Sequence, residues 1–155
     1  MKLDRTDQTI LAELQRNGRL TNRELAEKVH LSESACLRRV RSLEEAGVID
    51  RYAALVSQTK VGLPGNVFVS ITLNRQEQAD LAAFEEAVRR VPEVMECYLM
   101  TGDADYLLRV AVPDRPALER FILEQISPIA QVEKIRSSFA LKQVRYKTAL
   151  PLHAA

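Results

Sequence analysis

Three short helical patterns fill the first 47 residues of this chain, and they constrain its fold more than any other feature. They cover residues 4–17, 21–29 and 32–47, and they open on Asp, Thr and Ser respectively. These side chains accept hydrogen bonds from the first amides of a helix, and a glycine near the end favours termination. Three helices joined by short turns are typical of a helix-turn-helix unit. We therefore predict a small helical domain at the start of the chain.

The third helical pattern carries three arginines within four residues: Arg38, Arg39 and Arg41. At 100° per residue, one stripe of this helix is predicted to be buried, and it contains Cys36, Val40, Leu43 and Gly47. The opposite side collects Ser34, Arg38, Arg41, Ser42 and Glu45, with Ala35 and Arg39 at its margins. A lone basic run is typical of a solvated helix face. Behind two capped helices, the same run favours contact with DNA.

Guanidinium groups fork onto guanine edges or phosphates, and serine hydroxyls bind either. We expect Arg38 and Arg41 to read bases and Arg39 to contact a phosphate. Small residues early in the helix allow close approach to the groove. The predicted contacts to double-stranded DNA are Ser32, Ser34, Ala35, Arg38, Arg39, Arg41 and Ser42.

The overall charge adds little to this prediction. The chain has a formal net charge of +1. Residues 1–60 carry 11 basic and 9 acidic side chains, and residues 61–155 carry 11 and 12. Because nucleic-acid binding depends on a local basic face, the position of the arginines matters more than the total.

The rest of the chain alternates strand-like and helical patterns. A breaker cluster at 57–66, with two glycines and a proline, marks a domain boundary. Period-two alternation and helical spacing then give the order β-α-β-β-α-β. Strand patterns cover 67–73, 94–101, 106–112 and 132–146; helical patterns cover 81–91 and 118–126; a further strand pattern covers 48–56.

These patterns predict an α+β protein, with a plain or winged helix-turn-helix followed by a ferredoxin-like βαββαβ domain. The predicted divisions are residues 1–50 for DNA binding, 51–65 for a strand and linker, and 66–155 for effector binding and oligomerisation. Helices cover only one face of such a sheet. We expect the other face to pack on a second copy of the chain.

The turn at residues 101–106 joins two apolar strands. Gly102 allows a positive φ and lets a backbone amide approach a ligand carboxylate. Asp103 and Asp105 could pair with an ammonium group, while Leu99, Met100 or Leu108 could meet an aliphatic side chain. The alternative is a plain hairpin turn, because Gly-Asp sequences form turns readily.

Two stretches carry a family resemblance. The run LDRTDQTILAELQRNGRLTNRELAEKVHLSESACLRRVRSLEEAGVI resembles the DNA-binding domain of the Lrp/AsnC regulators. The segments PEVMECYLMTGDADYLLRV and RSSFALKQVRYKTALPL resemble the amino-acid-sensing domain of that family. The match covers essentially the whole chain, with both halves in the expected order.

The resemblance implies an amino-acid pocket at a contact between dimers. The turn and the strand at 135–139 would build it, with Ser137 and Ser138 as hydroxyl partners. The implied effector residues are Leu99, Met100, Thr101, Gly102, Asp103, Asp105, Ser137 and Ser138. The implied effector is leucine, methionine or another aliphatic amino acid, and the implied assembly is a dimer that associates further to an octamer.

We expect neither catalysis nor a cofactor. The sequence has no GxSxG, Walker loop or HExxH motif. Cys36 and Cys97 lack zinc-ligand spacing, and each is expected to be a buried, reduced thiol. His30 lies in the helix-turn-helix turn, and His153 lies in the terminal tail. No signal pattern or membrane-length apolar run appears, so we expect a cytoplasmic protein without membrane contact.

Two other functions remain open from the sequence. One is an amino-acid-binding regulatory subunit of a metabolic enzyme, built on the ferredoxin-like half. The other is a nucleoid-type architectural protein with weak sequence preference, which a comparison of specific and non-specific affinity would separate.

Overall fold

A computed structural model of the chain describes residues 2–152. Its contacts divide the described chain into two compact units. The first contains residues 2–55 together with 144–152, and the second contains residues 56–143. His153, considered above, lies outside the described residues.

The first unit contains the three predicted helices. They are α1 (Arg5–Arg16), α2 (Asn22–Lys28) and α3 (Glu33–Glu45). Asp4, Thr21 and Ser32 cap them, and each side chain accepts a hydrogen bond from a first-turn amide. Apolar side chains from all three helices form one core: Ile10, Leu11, Leu25, Ala26, Val29, Cys36 and Leu43. The prediction of a capped three-helix unit is confirmed.

The predicted strand at 48–56 is wrong. This segment has no regular secondary structure. Its large apolar side chains Val48, Tyr52, Leu55 and Val56 are exposed. A strand is stable only where a neighbour accepts its backbone hydrogen bonds, and no strand of the described chain pairs with this segment. Gly47, expected in the buried stripe, is also exposed: it lies beyond the C-cap residue Ala46, where the chain leaves the helix with φ +67°.

The second unit has the predicted order β-α-β-β-α-β. Its strands are β1 (Gly65–Leu73), β2 (Val94–Leu99), β3 (Tyr106–Val112) and β4 (Val132–Phe139). Its helices are α4 (Gln78–Arg89) and α5 (Arg115–Phe121). A π-helical turn over Ile122–Ile126 continues α5. The strands form one antiparallel sheet in the order β2-β3-β1-β4. The ferredoxin-like prediction is therefore confirmed.

The helices pack on one face of this sheet. Alternate side chains of the central strands are buried there, among them Val67, Val69 and Ile71 of β1. The side chains between them point to the opposite face, which we call the open face. Phe68 is 39% exposed and Tyr98 is 51% exposed on this open face. Leu107 and the ion-paired Arg109 and Glu96 lie beside them.

The predicted final strand is too long. β4 ends at Phe139, whereas the sequence pattern continued to residue 146. Its neighbour β1 pairs with it only from Val67 to Leu73, so residues beyond 140 have no backbone partner in the sheet.

Residues 144–152 belong to the first unit, whereas the sequence assigned them to the second domain. The Leu150 amide donates to Gln15 Oε1 at 2.6 Å, and Gln15 Nε2 donates back to the Leu150 carbonyl at 3.3 Å. Leu152 packs against the helical core. Helix α1 therefore has the segment around Leu150 as a neighbour.

Candidate nucleic-acid interface and ligand site

A tight turn sets the position of α3 against α2. His30 adopts φ +56° in this turn, the left-handed region that non-glycine residues rarely enter. The Leu31 amide donates to the Ala26 carbonyl at 3.0 Å. Asn22 Nδ2 donates to the Glu33 carbonyl at 2.8 Å and ties the start of α2 to the start of α3. Backbone and side-chain bonds thus hold the two helices in one arrangement.

The outward face of α3 is polar and accessible. Ser34, Arg38, Arg41 and Ser42 are exposed, and Ala35 is half-buried. Leu43 and Cys36 on the opposite face are completely buried in the helical core. This division matches the predicted rotation of the helix, and it presents the small and basic side chains together.

Ser32 has a structural role at the start of α3. Its hydroxyl accepts a hydrogen bond from the Ala35 amide at 3.3 Å, and it lies 3.3 Å from the Ser34 hydroxyl. The Ser32 side chain is also exposed. The helix N-terminus, whose free amides favour anions, therefore opens on two neighbouring hydroxyls.

Arg38 and Arg41 lack an acidic partner within the part of the chain that the structure describes. Both guanidinium groups are exposed on the same side of α3. Two unpaired cations on a rigid helix provide donors that bind guanine edges or phosphates.

Arg39 differs from Arg38 and Arg41 in having acidic partners. Its Nη1 donates to Asp7 Oδ1 and to Asp4 Oδ2, both at 2.8 Å. These bonds, to Asp7 first and then to Asp4, raise the pKa of Arg39. The guanidinium therefore connects α3 to the start of α1, and its contact with a DNA phosphate stays a prediction.

The turn between β2 and β3 contains the predicted ligand residues. Gly102 has φ +129°, so a side chain at this position would be strained. Thr101 and Asp103 are exposed, and Met100 is 43% exposed. The turn is therefore accessible, and glycine is required at its bend.

Asp105 has a structural role in this turn, and the ammonium contact expected of it stays a prediction. Its Oδ2 accepts from the Leu73 amide and its Oδ1 from Gln76 Nε2, both at 2.7 Å. The carboxylate thus ties the start of β3 to the end of β1. Asp103 is the acidic side chain of the turn that stays exposed.

Ser137 and Ser138 point to opposite faces of β4, because successive strand residues alternate. Ser138 pairs with Phe68 on the open face, and Ser137 pairs with Val69 on the helix side. β4 and β2 are the two edge strands, separated by about 14 Å at usual strand spacing. The structure therefore does not bring these serines together with the turn in one chain.

A cleft lies between α4 and β2 that the sequence did not predict. Its volume is about 330 Å³, and it is lined by Glu85, Val88, Arg89, Val94, Met95, Glu96, Cys97, Leu99 and Tyr106. Leu99 is the one predicted effector residue in this lining. The sequence feature that could have indicated this cleft is the pair of opposite charges at Glu85 and Arg89, which lie four residues apart on α4 on either side of the buried Val88.

The cysteines divide between core and surface. Cys36 is buried as predicted, and burial raises its thiol pKa. Cys97 is exposed, so the expectation of a buried thiol is wrong there. Cys97 is accessible because β2 is an edge strand, and its side chain lines the α4–β2 cleft. Among residues 2–152, no group of His, Cys, Asp and Glu side chains could hold a metal ion.

Two protein-family models match consecutive parts of the chain. Residues 3–50 match a family model described as winged helix-turn-helix DNA-binding. Residues 66–150 match the Lrp/AsnC ligand binding domain. The chain belongs to the Lrp/AsnC family of transcription regulators.

Relatives of this Lrp/AsnC protein match over nearly their full length. The Bkd operon transcriptional regulator of Pseudomonas aeruginosa is 46% identical over 151 residues, which is 97% of this chain and 99% of that protein. The leucine-responsive regulatory protein of Escherichia coli K12 is 40% identical over 148 residues, 96% of this chain and 90% of that protein. A solved Neisseria meningitidis transcriptional regulator in complex with L-methionine has a TM-score of 0.92 at 43% identity, with 97% of each chain covered.

Membership of the Lrp/AsnC family places the α3 arginines in a DNA-binding domain and the β2–β3 turn in a ligand-binding domain. The chain is thus a DNA-binding transcription regulator with a separate ligand-binding unit. No helix within residues 2–152 is long and apolar enough to cross a membrane.

Proposed function

We propose that this Lrp/AsnC protein reads specific DNA sites with the outward face of α3 and changes its DNA binding when an amino acid binds. Arg38 and Arg41 read bases, supported by contacts from Ser32, Ser34, Ala35 and Ser42. The observation that carries this proposal is the pair of exposed, unpaired arginines on a helix whose other side is fixed in the core.

The DNA part is tested by fluorescence anisotropy at one fixed salt concentration. A duplex selected from a random library is compared with a scrambled duplex. We expect Arg38→Ala and Arg41→Ala each to lower affinity for the selected duplex by about 1–3 kcal/mol, with a smaller effect on the scrambled one. Arg120→Ala on α5 is the matched control, since it removes an exposed arginine outside the helical unit. Equal loss on both duplexes would instead indicate architectural binding.

We also propose that two copies of the chain associate through the open face of the sheet. Phe68, Tyr98 and Leu107 provide apolar area there, beside the Arg109–Glu96 ion pair at 2.7 Å. Two recognition helices would then fit half-sites about one helical turn apart, or a multiple of it. Further association of dimers, up to an octamer, follows the family resemblance.

The dimer is tested by light scattering on full-length protein. Phe68→Glu places a charge in the open face and is expected to lower the mass toward that of one chain. Arg120→Ala is again the control. A Phe68→Glu protein with the wild-type mass would contradict this interface.

The ligand is proposed to be an aliphatic amino acid, with leucine and methionine first. Support comes from the matched ligand-binding domain and from relatives named for a leucine response or solved with L-methionine. A thermal-shift screen of the twenty amino acids identifies it, because a ligand of the native state raises apparent stability. Asp103→Ala tests the turn, and we expect a weaker shift with DNA binding kept.

The proposed role is regulation and not catalysis. We expect the protein to act in the cytoplasm, where it would bind DNA through α3. The named relatives are transcription regulators, which supports this role. Effector binding would favour one assembly of dimers over another, which requires different affinities for the two states.

A further inference from the structure

A stretch beyond β4 carries positive charge that no acidic residue nearby in the sequence balances. Residues 134–155 contain five of the 22 basic side chains of the chain and none of its 21 acidic ones. Three of the five, Lys142, Arg145 and Lys147, fall within residues 142–147, which we call the basic tail. The whole chain has a formal net charge of only +1, so the basic tail is a local concentration of charge. Binding to a polyanion depends on such local clusters.

The cations of the basic tail are accessible and unpaired. Residues 142–147 have no regular secondary structure, and each of them is exposed. Arg145 and Lys147 form no ion pair within residues 2–152. They are two residues apart, so their Cα atoms lie at most about 7 Å from each other. Both side chains are therefore available to an anion outside the described chain.

Most of the basic tail belongs to the DNA-binding unit. Residues 144–152 cluster with the three helices of the first unit. The segment is anchored on α1 by the two hydrogen bonds between Gln15 and Leu150, and Leu152 packs against the helical core. Lys147 precedes Leu150 by three residues, which limits the distance between their Cα atoms to about 11 Å. The anchor thus keeps the cations on the unit that carries the recognition helix.

The spacing and the irregular backbone of the basic tail suit phosphates better than bases. Each strand of a DNA duplex presents one phosphate per about 3.4 Å along the helix axis, so two cations about 7 Å apart can meet two phosphates. Base reading needs side chains held on a rigid element, as Arg38 and Arg41 are on α3. Long side chains on an irregular segment position a protein on the DNA backbone without reading its sequence.

We propose that the basic tail is a second DNA-binding element, in which Arg145 and Lys147 contact phosphates of the duplex that α3 occupies. These contacts add affinity that does not depend on the base sequence. The inference rests on DNA binding by the first unit, and it goes beyond the base reading proposed for Arg38 and Arg41.

The salt dependence of DNA binding by the full-length protein tests the basic tail. Affinity for the selected and the scrambled duplex is measured by fluorescence anisotropy between about 50 and 200 mM salt. Each phosphate contact contributes about 0.9 to the slope of log affinity against log salt concentration. We expect the double variant Arg145→Gln/Lys147→Gln to lower this slope by about 2 for each bound copy of the chain. At about 0.1 M salt, it should bind both duplexes at least about fivefold more weakly.

Two matched variants separate a local contact from a loss of net charge or of structure. Arg115→Gln/Arg120→Gln removes two exposed cations of α5, which also lack ion pairs within the described chain, and should keep the wild-type slope. Arg145→Lys/Lys147→Arg exchanges the two side chains and keeps both charges, so it should also keep the slope. Equal reductions in the tail and α5 glutamine variants would overturn the basic tail as a contact.

This proposal and the base reading by α3 fail in different ways. A wild-type slope in Arg145→Gln/Lys147→Gln overturns the DNA contact and leaves a solvated run of charge. A loss confined to the selected duplex overturns it as well, because phosphate contacts do not depend on sequence. Arg38→Ala and Arg41→Ala variants that still discriminate between the two duplexes would overturn base reading alone, since the slope is set by phosphate contacts.

Discussion

Nη1 of Arg39 on α3 lies 2.8 Å from Oδ1 of Asp7 on α1, and Asp7 is only 5% exposed. The recognition helix is therefore tied to α1 by an ion pair in addition to the apolar core. Arg38, the preceding residue, is exposed and unpaired within the described chain. Two adjacent arginines thus have different surroundings: Arg39 is bound to two carboxylates, and Arg38 is free to make the DNA contact proposed for it.

Arg39→Ala should destabilise the helical unit, and Arg38→Ala should not. Removing Arg39 leaves the buried Asp7 oxygen without this partner, which costs about 1–3 kcal/mol in the free energy of unfolding. Arg38→Ala removes an exposed side chain and is expected to change that free energy by less than about 0.5 kcal/mol. Urea unfolding followed by helical circular dichroism measures both. Equal stability of the two variants would contradict the ion pair.

The helix caps should make the first unit sensitive to acid. A backbone hydrogen bond from Asp7, followed by Arg39, lowers the pKa of Asp4 below its ordinary 3.8. Bonds from Thr21 lower the pKa of Glu24 below 4.5. A carboxylate with a depressed folded-state pKa contributes stability above its unfolded pKa, and this stability is lost as the pH falls through the folded value.

We therefore expect the melting temperature to fall as the pH decreases from about 5 to about 3. Asp4→Asn keeps a capping side chain but does not titrate, so its melting temperature should fall less steeply. Parallel slopes for wild type and Asp4→Asn would rule out Asp4 as a source of the acid sensitivity.

At position 30, glycine should give a more stable protein than alanine. Its φ of +56° places Cβ close to the following carbonyl oxygen, which costs about 1–2 kcal/mol for an L-residue. His30→Gly should therefore be more stable than His30→Ala by about 1 kcal/mol, although glycine is the more flexible residue. Thermal melts of the two variants give the comparison. If the alanine variant is the more stable one, the turn does not have this conformation in solution.

Gly65 is required where β1 meets β3. A Cβ at this position would lie 2.7 Å from the Val112 carbonyl oxygen and 2.8 Å from its Cγ2. Gly65→Ala should force the strands apart and destabilise the second unit by about 1–3 kcal/mol. Gly18→Ala is the control, since the nearest atom that a Cβ would meet there is a Tyr52 ring carbon at 3.4 Å, an ordinary contact distance. Unchanged unfolding of Gly65→Ala would contradict the register of β1 and β3.

Features that depend on neighbouring residues could be predicted from the sequence. Asp4, Thr21 and Ser32 cap helices through bonds to residues three positions away, so their signal is local. The apolar repeat that buries Cys36 and Leu43 is local as well. The order β-α-β-β-α-β followed from the change between period two and helical spacing.

Features that depend on distant partners could not be predicted. Residues 48–56 and 140–146 have apolar patterns typical of strands, but no strand of the described chain pairs with them. No local pattern indicates that the Asp105 carboxylate and the Arg39 guanidinium each bind a group 32 residues away. The α4–β2 cleft could not be predicted, because Glu85 and Leu99 belong to separate elements that only the folded sheet brings together.

The central claim is that binding of an amino acid changes the affinity of this protein for DNA, and one pair of titrations tests it most directly. The selected duplex is titrated with wild-type protein at fixed salt, with and without saturating amino acid from the thermal-shift screen. We expect the amino acid to change the apparent affinity by at least about fivefold, the lower end of usual allosteric coupling. Superimposable curves, from a protein that binds both the duplex and the amino acid, would contradict the coupling between the two units.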